Sequence, residues 1–182
     1  MTAVVSMLFV AVLVAIDQLS KYWILANFSV NESMPIWDGV LHFTYVQNDG
    51  AVFGSLSGKG YIFNTVTVLI VLIGIALILM KKIEPKLLMC AATLVIAGGI
   101  GNLIDRFRLK YVVDFIDVRC FGKLWTWVFN FADCCVVVGC LLILVYYTVD
   151  MIRDAKRKGK PALAAAETPP SAPDGGNPDE DA

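Results

Sequence analysis

Histidine is nearly absent: His42 is the only one in 182 residues, and no H-E-x-x-H pattern occurs, so no metal site is expected. A serine mechanism that dispenses with histidine would need a Ser/Lys pair. Ser20 and Lys21 are neighbours that point to different faces of a helix, which sets that chemistry aside. None of the cysteines Cys90, Cys120, Cys134, Cys135 and Cys140 forms a C-x-x-C pair, and they read as small apolar packing residues. The net charge of -1 provides no basic field for a nucleic-acid partner. No Lys or Arg precedes the first apolar run and no small-x-small cleavage site follows it, so that run is expected to be a retained span rather than a secretory leader. Internal repeats are also missing, which weakens the case for a secondary transporter.

Apolar residues, by contrast, make up 58% of the chain, with a mean hydropathy of +0.70. A soluble domain holds roughly 45–50%. Four apolar runs, about 4–25, 61–80, 87–104 and 128–149, carry the excess, each near the ~20 residues that a helix needs to cross a bilayer. The expected fold is an all-α membrane protein of four transmembrane helices with a small extracytoplasmic β-rich loop region. Residues 1–158 are expected to form the four-helix domain. From 159 to 182 the Ala, Pro, Gly and acidic composition predicts a disordered cytoplasmic tail.

An even number of spans puts both termini on one side. Lys81, Lys82, Lys86, Arg153, Lys156, Arg157, Lys158 and Lys160 mark that side as cytoplasmic, eight basic residues against seven in the opposing segments. Those seven, Lys21, Lys59, Arg106, Arg108, Lys110, Arg119 and Lys123, are numerous enough to suggest a role other than topology. Residues 26–60 form a long outer loop in which Leu41 to Val46 is a β-prone stretch ahead of the turn Asn48-Asp49-Gly50. Pro85 closes a short basic link between spans two and three, making them antiparallel neighbours. Residues 105–127 form the second outer segment, with Tyr111-Val112-Val113 as another short strand and Trp125 and Trp127 suited to the interfacial aromatic belt.

Ionisable groups in a span cost about 2.5–3.5 kcal/mol each on insertion scales, so their retention points to function. Asp17 and Lys21 end the first span, Asn102 and Asp105 end the third, and Asn130 and Asp133 begin the fourth, which places all six on the outer side. Gly98, Asn102 and Asp105 share one helical stripe, and Asn130 and Asp133 face the same way, so a polar pocket between helices follows. Asp17 and Lys21, at i and i+4, form a local ion pair that shapes this pocket. Clustering at one face argues against a channel or proton relay, which would need polar groups across the whole membrane. A purely packing role for these groups is the other alternative. Paired carboxylates sharing one proton remain as the reactive chemistry, with Asp133 as one member. Its partner could be Asp17, Asp105, Asp114 or Asp117, and spacing does not choose; Asp105 also reads as an ion-pair partner of adjacent Arg106.

Five ordered blocks carry a resemblance over roughly residues 10–150: Asp17-Gln18-Leu19-Ser20-Lys21; Asn48-Asp49-Gly50-Ala51-Val52-Phe53; Gly98 through Arg106; Val113-Asp114-Phe115-Ile116; and Phe129-Asn130-Phe131-Ala132-Asp133. The chain resembles the bacterial lipoprotein signal peptidase family, also called signal peptidase II. Two departures are Val52, where the family often has a smaller residue, and the acidic Pro-rich tail. The resemblance implies that Asp114 and Asp133 form a catalytic dyad. It also implies that Asn48, Gly50, Asn102, Arg106 and Asn130 line the substrate cleft and hold the peptide backbone, while Asp17, Lys21 and Asp105 give support; Arg106, a basic group beside Asn102 at the same cleft, is expected to stabilise substrate carbonyls. The implied substrate is a prolipoprotein carrying diacylglycerol on a cysteine, cut immediately before that cysteine. Further implied are no cofactor and no metal, contact with membrane lipid, a monomer, and a place in the bacterial inner membrane with the active site at its extracytoplasmic face.

Overall fold

A computed structural model describes residues 2–50, 60–119 and 127–166. The helices are α1 (Ala3–Asn27), α2 (Gly60–Leu79), α3 (Lys86–Leu109) and α4 (Phe131–Ala166), and the strands are β1 (Ser33–Trp37), β2 (Leu41–Asn48), β3 (Val112–Val118) and β4 (Val128–Phe129). Compactness divides the chain into Met1–Tyr146, which holds the sheet and most of the helices, and Tyr147–Ala182, described as helix as far as Ala166. Residues 167–182 of the expected tail, the motif residues Ala51, Val52 and Phe53, and Lys59, Cys120, Lys123 and Trp125 lie outside the described residues.

α1, α3 and Phe131–Lys156 of α4 are each long and apolar enough to cross a membrane. α2 has 20 residues and no charged side chain. The chain is a multi-pass membrane protein, and its packing inverts that of a water-soluble bundle. On α1 the buried residues include Ser6, Asp17 and Lys21, whereas Leu8, Phe9, Val12 and Leu19 are exposed. Lipid tails solvate the apolar side chains, so the polar groups turn inward to find partners.

Helix ends follow local chemistry. α3 runs beyond the apolar stretch to Leu109 because Arg106 and Arg108 in its last turn complement the helix dipole, and Lys110, at φ 72°, closes it in the left-handed region. The fourth apolar run does not begin as helix. Val128 and Phe129 pair with β3, and α4 starts at Phe131 because Asn130 caps it.

All four strands make one antiparallel sheet in the order β1-β2-β3-β4. Strands from the α1–α2 and α3–α4 connections therefore meet at one end of the bundle. β1 was not legible as a strand because it contains Pro35, which an edge strand tolerates. Phe43 pairs with Ile116 and Val46 with Asp114, so β2 bulges opposite Phe115 of β3. Val113 and Phe115 anchor β3 on Ile24 of α1 and on Phe28, which caps that helix, and this leaves the even-numbered Asp114 directed away from that cluster. In the bundle, a Cβ added to Gly98 would collide with the Ala132 carbonyl and approach Val136 Cγ2 to 2.7 Å. Glycine is thus required where α3 and the start of α4 touch.

Candidate active site

The first turn of α4 is tied off by a reciprocal cap. Asp133 N donates to Asn130 Oδ1 at 3.0 Å, and Asn130 N donates to Asp133 Oδ2 at 3.1 Å. Asp17 takes a further end-of-helix donor, accepting from Ala132 N at 2.9 Å. The N-terminus of α4 is thereby locked to α1, and the Asp133 carboxylate is held close to its own backbone. Its other oxygen accepts from Asn102 Nδ2 of α3 at 2.7 Å.

Asn130 also bridges to β3. Its Nδ2 donates to Asp114 Oδ1 at 2.6 Å and to Asn102 Oδ1 at 3.1 Å. The second Asp114 oxygen accepts from Asn48 Nδ2 of β2 at 2.8 Å. Gly50, at φ 83°, folds back so that its N–H donates to Asn48 Oδ1 at 2.9 Å, which orients the Asn48 amide. Two carboxylates from separate elements are thus fixed by one asparagine between them.

Behind this pair lies a buried charge cluster. Lys21 Nζ contacts Asp17 Oδ2 at 3.0 Å, Asp105 Oδ2 at 2.9 Å and Asn102 Oδ1 at 2.9 Å, with Lys21 only 2% exposed. The local pair at i and i+4 is present, and Asp105 pairs with Lys21 rather than with adjacent Arg106, because consecutive helical residues point in different directions. Asp105 Oδ2 also accepts from Val113 N at 3.1 Å, which fixes β3 beside the third helix. Gln18 Nε2, to which the residues alone assigned no role, lies 3.1 Å from Asp17 Oδ2, from Gly101 O and from Asp105 Oδ1. Its signal in the sequence was an amide inside an apolar run.

Asp117, one of the open alternatives, is directed elsewhere. Thr44 Oγ1 donates to it at 2.7 Å and Arg119 Nε at 2.7 Å. Burial pushes its carboxyl up, but these donors and the Arg119 charge outweigh that and hold it below the usual range. Asp114 behaves oppositely. Burial, followed by the charge of Asp133, pushes its carboxyl up to about 6, against the downward pull of Asn48, Asn130 and Lys21.

Asp114 and Asp133 line one cavity of about 530 Å3 whose walls include Trp127, Val137 and Val138. Asp133 also borders a second space of about 270 Å3, together with Asn102 and Arg106 at its polar end and Val71 and Val95 deeper in. Among the described residues Arg106 forms no salt bridge, so its guanidinium donors remain for another group. Among the same residues, no group of three or more His, Cys, Asp and Glu side chains is arranged to hold a metal ion. The arrangement can hold an extended polar backbone beside an apolar wall and present two carboxyl groups to it.

Comparison with known proteins adds an independent line. The family model described as signal peptidase (SPase) II matches residues 9–149. The lipoprotein signal peptidase of Moorella thermoacetica is 44% identical over 137 residues, covering 75% of this chain and 88% of that protein. That of Halothermothrix orenii is 43% identical over 143 residues, covering 77% and 94%. Two solved structures of a bacterial membrane enzyme, obtained by the in meso method at 2.3 and 1.9 Å, superpose with TM-scores of 0.73 and 0.72 at 32% identity. They cover 81% and 79% of this chain, and the chain covers 89% and 92% of theirs.

Proposed function

The chain belongs to the signal peptidase II family, and from that premise we propose that it is an aspartic endopeptidase that removes the signal peptide from diacylglyceryl-modified prolipoproteins, cutting immediately before the lipidated cysteine. The observation that carries the aspartic mechanism is the shared cavity: Asp114 and Asp133 both line it and Asn130 contacts both. Asp114, with its carboxyl raised to about 6, holds the proton of the pair. Asp133 takes a proton from water as that water attacks the scissile carbonyl. Collapse of the tetrahedral intermediate breaks the C–N bond, and Asp114 delivers its proton to the departing amine. Arg106, which forms no salt bridge among the described residues, supplies donors to substrate carbonyl oxygens. Asn102 and Asn130 hold the carboxyl groups, while Asp17, Lys21 and Asp105 hold the asparagines and the α4 terminus. Asn48 and Gly50 form the outer-loop edge of the cleft.

Trp127, Val137 and Val138 give the dyad cavity an apolar wall suited to a lipid-bearing cysteine. The basic link Lys81, Lys82 and Lys86 lies at the end of the bundle away from the sheet, which supports both termini being cytoplasmic and the active site facing the opposite side of a bacterial inner membrane. The protein works as a monomer in contact with membrane lipid. Purified protein in detergent, given a diacylglyceryl-modified prolipoprotein peptide, is expected to release the signal peptide with the new N-terminus at the lipidated cysteine. Mass spectrometry of the products checks this. Cleavage at any other bond, or none, overturns the reading.

The pH profile offers a sharper prediction. Catalysis needs Asp114 protonated, so kcat/KM declines as pH rises through the Asp114 value, about 6 in the free protein. Asn48 donates to the ionised carboxylate and lowers that value. Asn48→Ala is therefore expected to shift the alkaline limb to higher pH, with a lower maximal rate. A limb that stays in place or moves to lower pH would detach Asn48 from Asp114.

A further inference from the structure

α2 is apolar and uncharged, yet its end nearest the sheet carries Asn64, Thr65 and Thr67. Asn64 Oδ1 is buried and has no hydrogen-bond partner among the described residues. Buried carbonyl oxygens without a donor are rare in folded proteins and call for an explanation. The packing of α2 on α3 shows what this oxygen is level with. A Cβ on Gly74 would lie 2.9 Å from Ile96 Cδ1, and one on Gly99 would lie 2.8 Å from Val71 Cγ2 and 3.5 Å from Thr67 Cγ2. The helices run antiparallel, so one turn further toward the sheet Asn64 is level with Asn102 to Arg106. Asn64, Thr67 and Val71, at i, i+3 and i+7, share one stripe, and Thr67 and Val71 line the space of about 270 Å3 that Arg106, Asn102 and Asp133 close at its polar end.

An extended peptide presents carbonyl oxygens and N–H groups alternately. The polar end of this space is rich in donors for the former, through Arg106. Acceptors for the latter are scarce: Asn102 Oδ1 already receives Lys21 and Asn130, and both Asp133 oxygens accept donors and are needed for chemistry. We propose that Asn64 is a further substrate-binding residue, whose side-chain oxygen accepts one backbone N–H of the peptide segment near the cut. The inference rests on the peptidase reading and deepens it. Substrate thereby satisfies an oxygen that is unpaired among the described residues.

The test compares wild type, Asn64→Leu and Asn64→Ala on the diacylglyceryl-modified peptide and on a series in which single backbone nitrogens are methylated. Asn64→Leu is expected to lower kcat/KM about tenfold, chiefly through KM, with a thermal midpoint at or above that of wild type because an unpaired polar atom is removed. One N-methyl position is expected to cost wild type about tenfold and both variants less than about twofold. Wild-type kinetics in the variants, or equal sensitivity of all three proteins across the methylated series, would overturn the proposal while leaving the peptidase reading intact. Lowered thermal midpoints with a uniform loss on every substrate would assign Asn64 to packing and overturn it as well. A wild-type protein that never cleaves the unmodified peptide removes the peptidase reading itself.

Discussion

Asp133→Asn and Asp114→Asn are each expected to reduce cleavage of the diacylglyceryl-modified peptide by at least about a thousandfold while leaving the chain folded, since a positioned acid or base contributes about 10²–10⁴ in rate. An amide keeps the size of the carboxyl and one acceptor oxygen. Asn at 133 can therefore still accept from Asn130 N and preserve the cap on α4, and Asn at 114 can still accept from one of Asn48 and Asn130. What is lost is the capacity to take up or release a proton. The two groups act as one unit, so the double variant is expected to be scarcely worse than either single one. Initial rates by mass spectrometry, alongside thermal midpoints in the same detergent, check this. Either variant keeping more than about a tenth of wild-type activity would move the chemistry to other residues.

Lys21→Met is expected to lower stability by about 3–5 kcal/mol, the usual cost of leaving a buried charge without its partner. Lys21 is the ion-pair partner of both Asp17 and Asp105. Those two carboxylates have further tasks, Asp17 holding Ala132 N at the start of α4 and Asp105 holding Val113 N at the start of β3. Without the ammonium they repel one another, and the two elements that deliver Asp133 and Asp114 lose their common anchor. Activity should fall with the folded fraction. Adding Asp17→Asn to Lys21→Met is expected to recover part of the stability by removing one stranded charge, although Ala132 N keeps an acceptor. Unfolding midpoints of the two single variants and the double variant complete the cycle. A Lys21→Met protein as stable as wild type would mean that the cluster carries no net charge attraction.

Both predictions concern side chains that the residues alone had brought into view, and the way they came into view differs. Asp17 with Lys21, and Asn130 with Asp133, are separated by four and three positions. Helical periodicity is a local property, so their adjacency was readable before any fold was known. The membrane class was equally readable, because run length against bilayer thickness is arithmetic on the chain. Gln18 and Asn64 carry the same kind of signal as the charged residues, an amide within an apolar run.

The partner of Asp133 was another matter. Asp114 and Asp117 lie three apart on one strand, and an odd separation sends their side chains to opposite faces. Pattern alone cannot tell which face meets the helices; only the family resemblance favoured Asp114. The decision is made by Val113 and Phe115 packing on Ile24 and Phe28, by the Val113 N–H reaching Asp105, and by Arg119 and Thr44 engaging Asp117. Likewise β1 and β4 exist only because β2 and β3 offer them edges, and α4 begins at Phe131 because Asn130 and Asp133 cap it while Val128 and Phe129 pair with β3. Taken by itself, then, the sequence determined the membrane-spanning helices, the side on which the polar residues gather and the pairs within each helix, all consequences of spacing along one chain. The tertiary structure alone decided which carboxyl groups face one cavity and which asparagine joins them, because those contacts link residues far apart in the chain and depend on strand register and helix packing that no local period encodes.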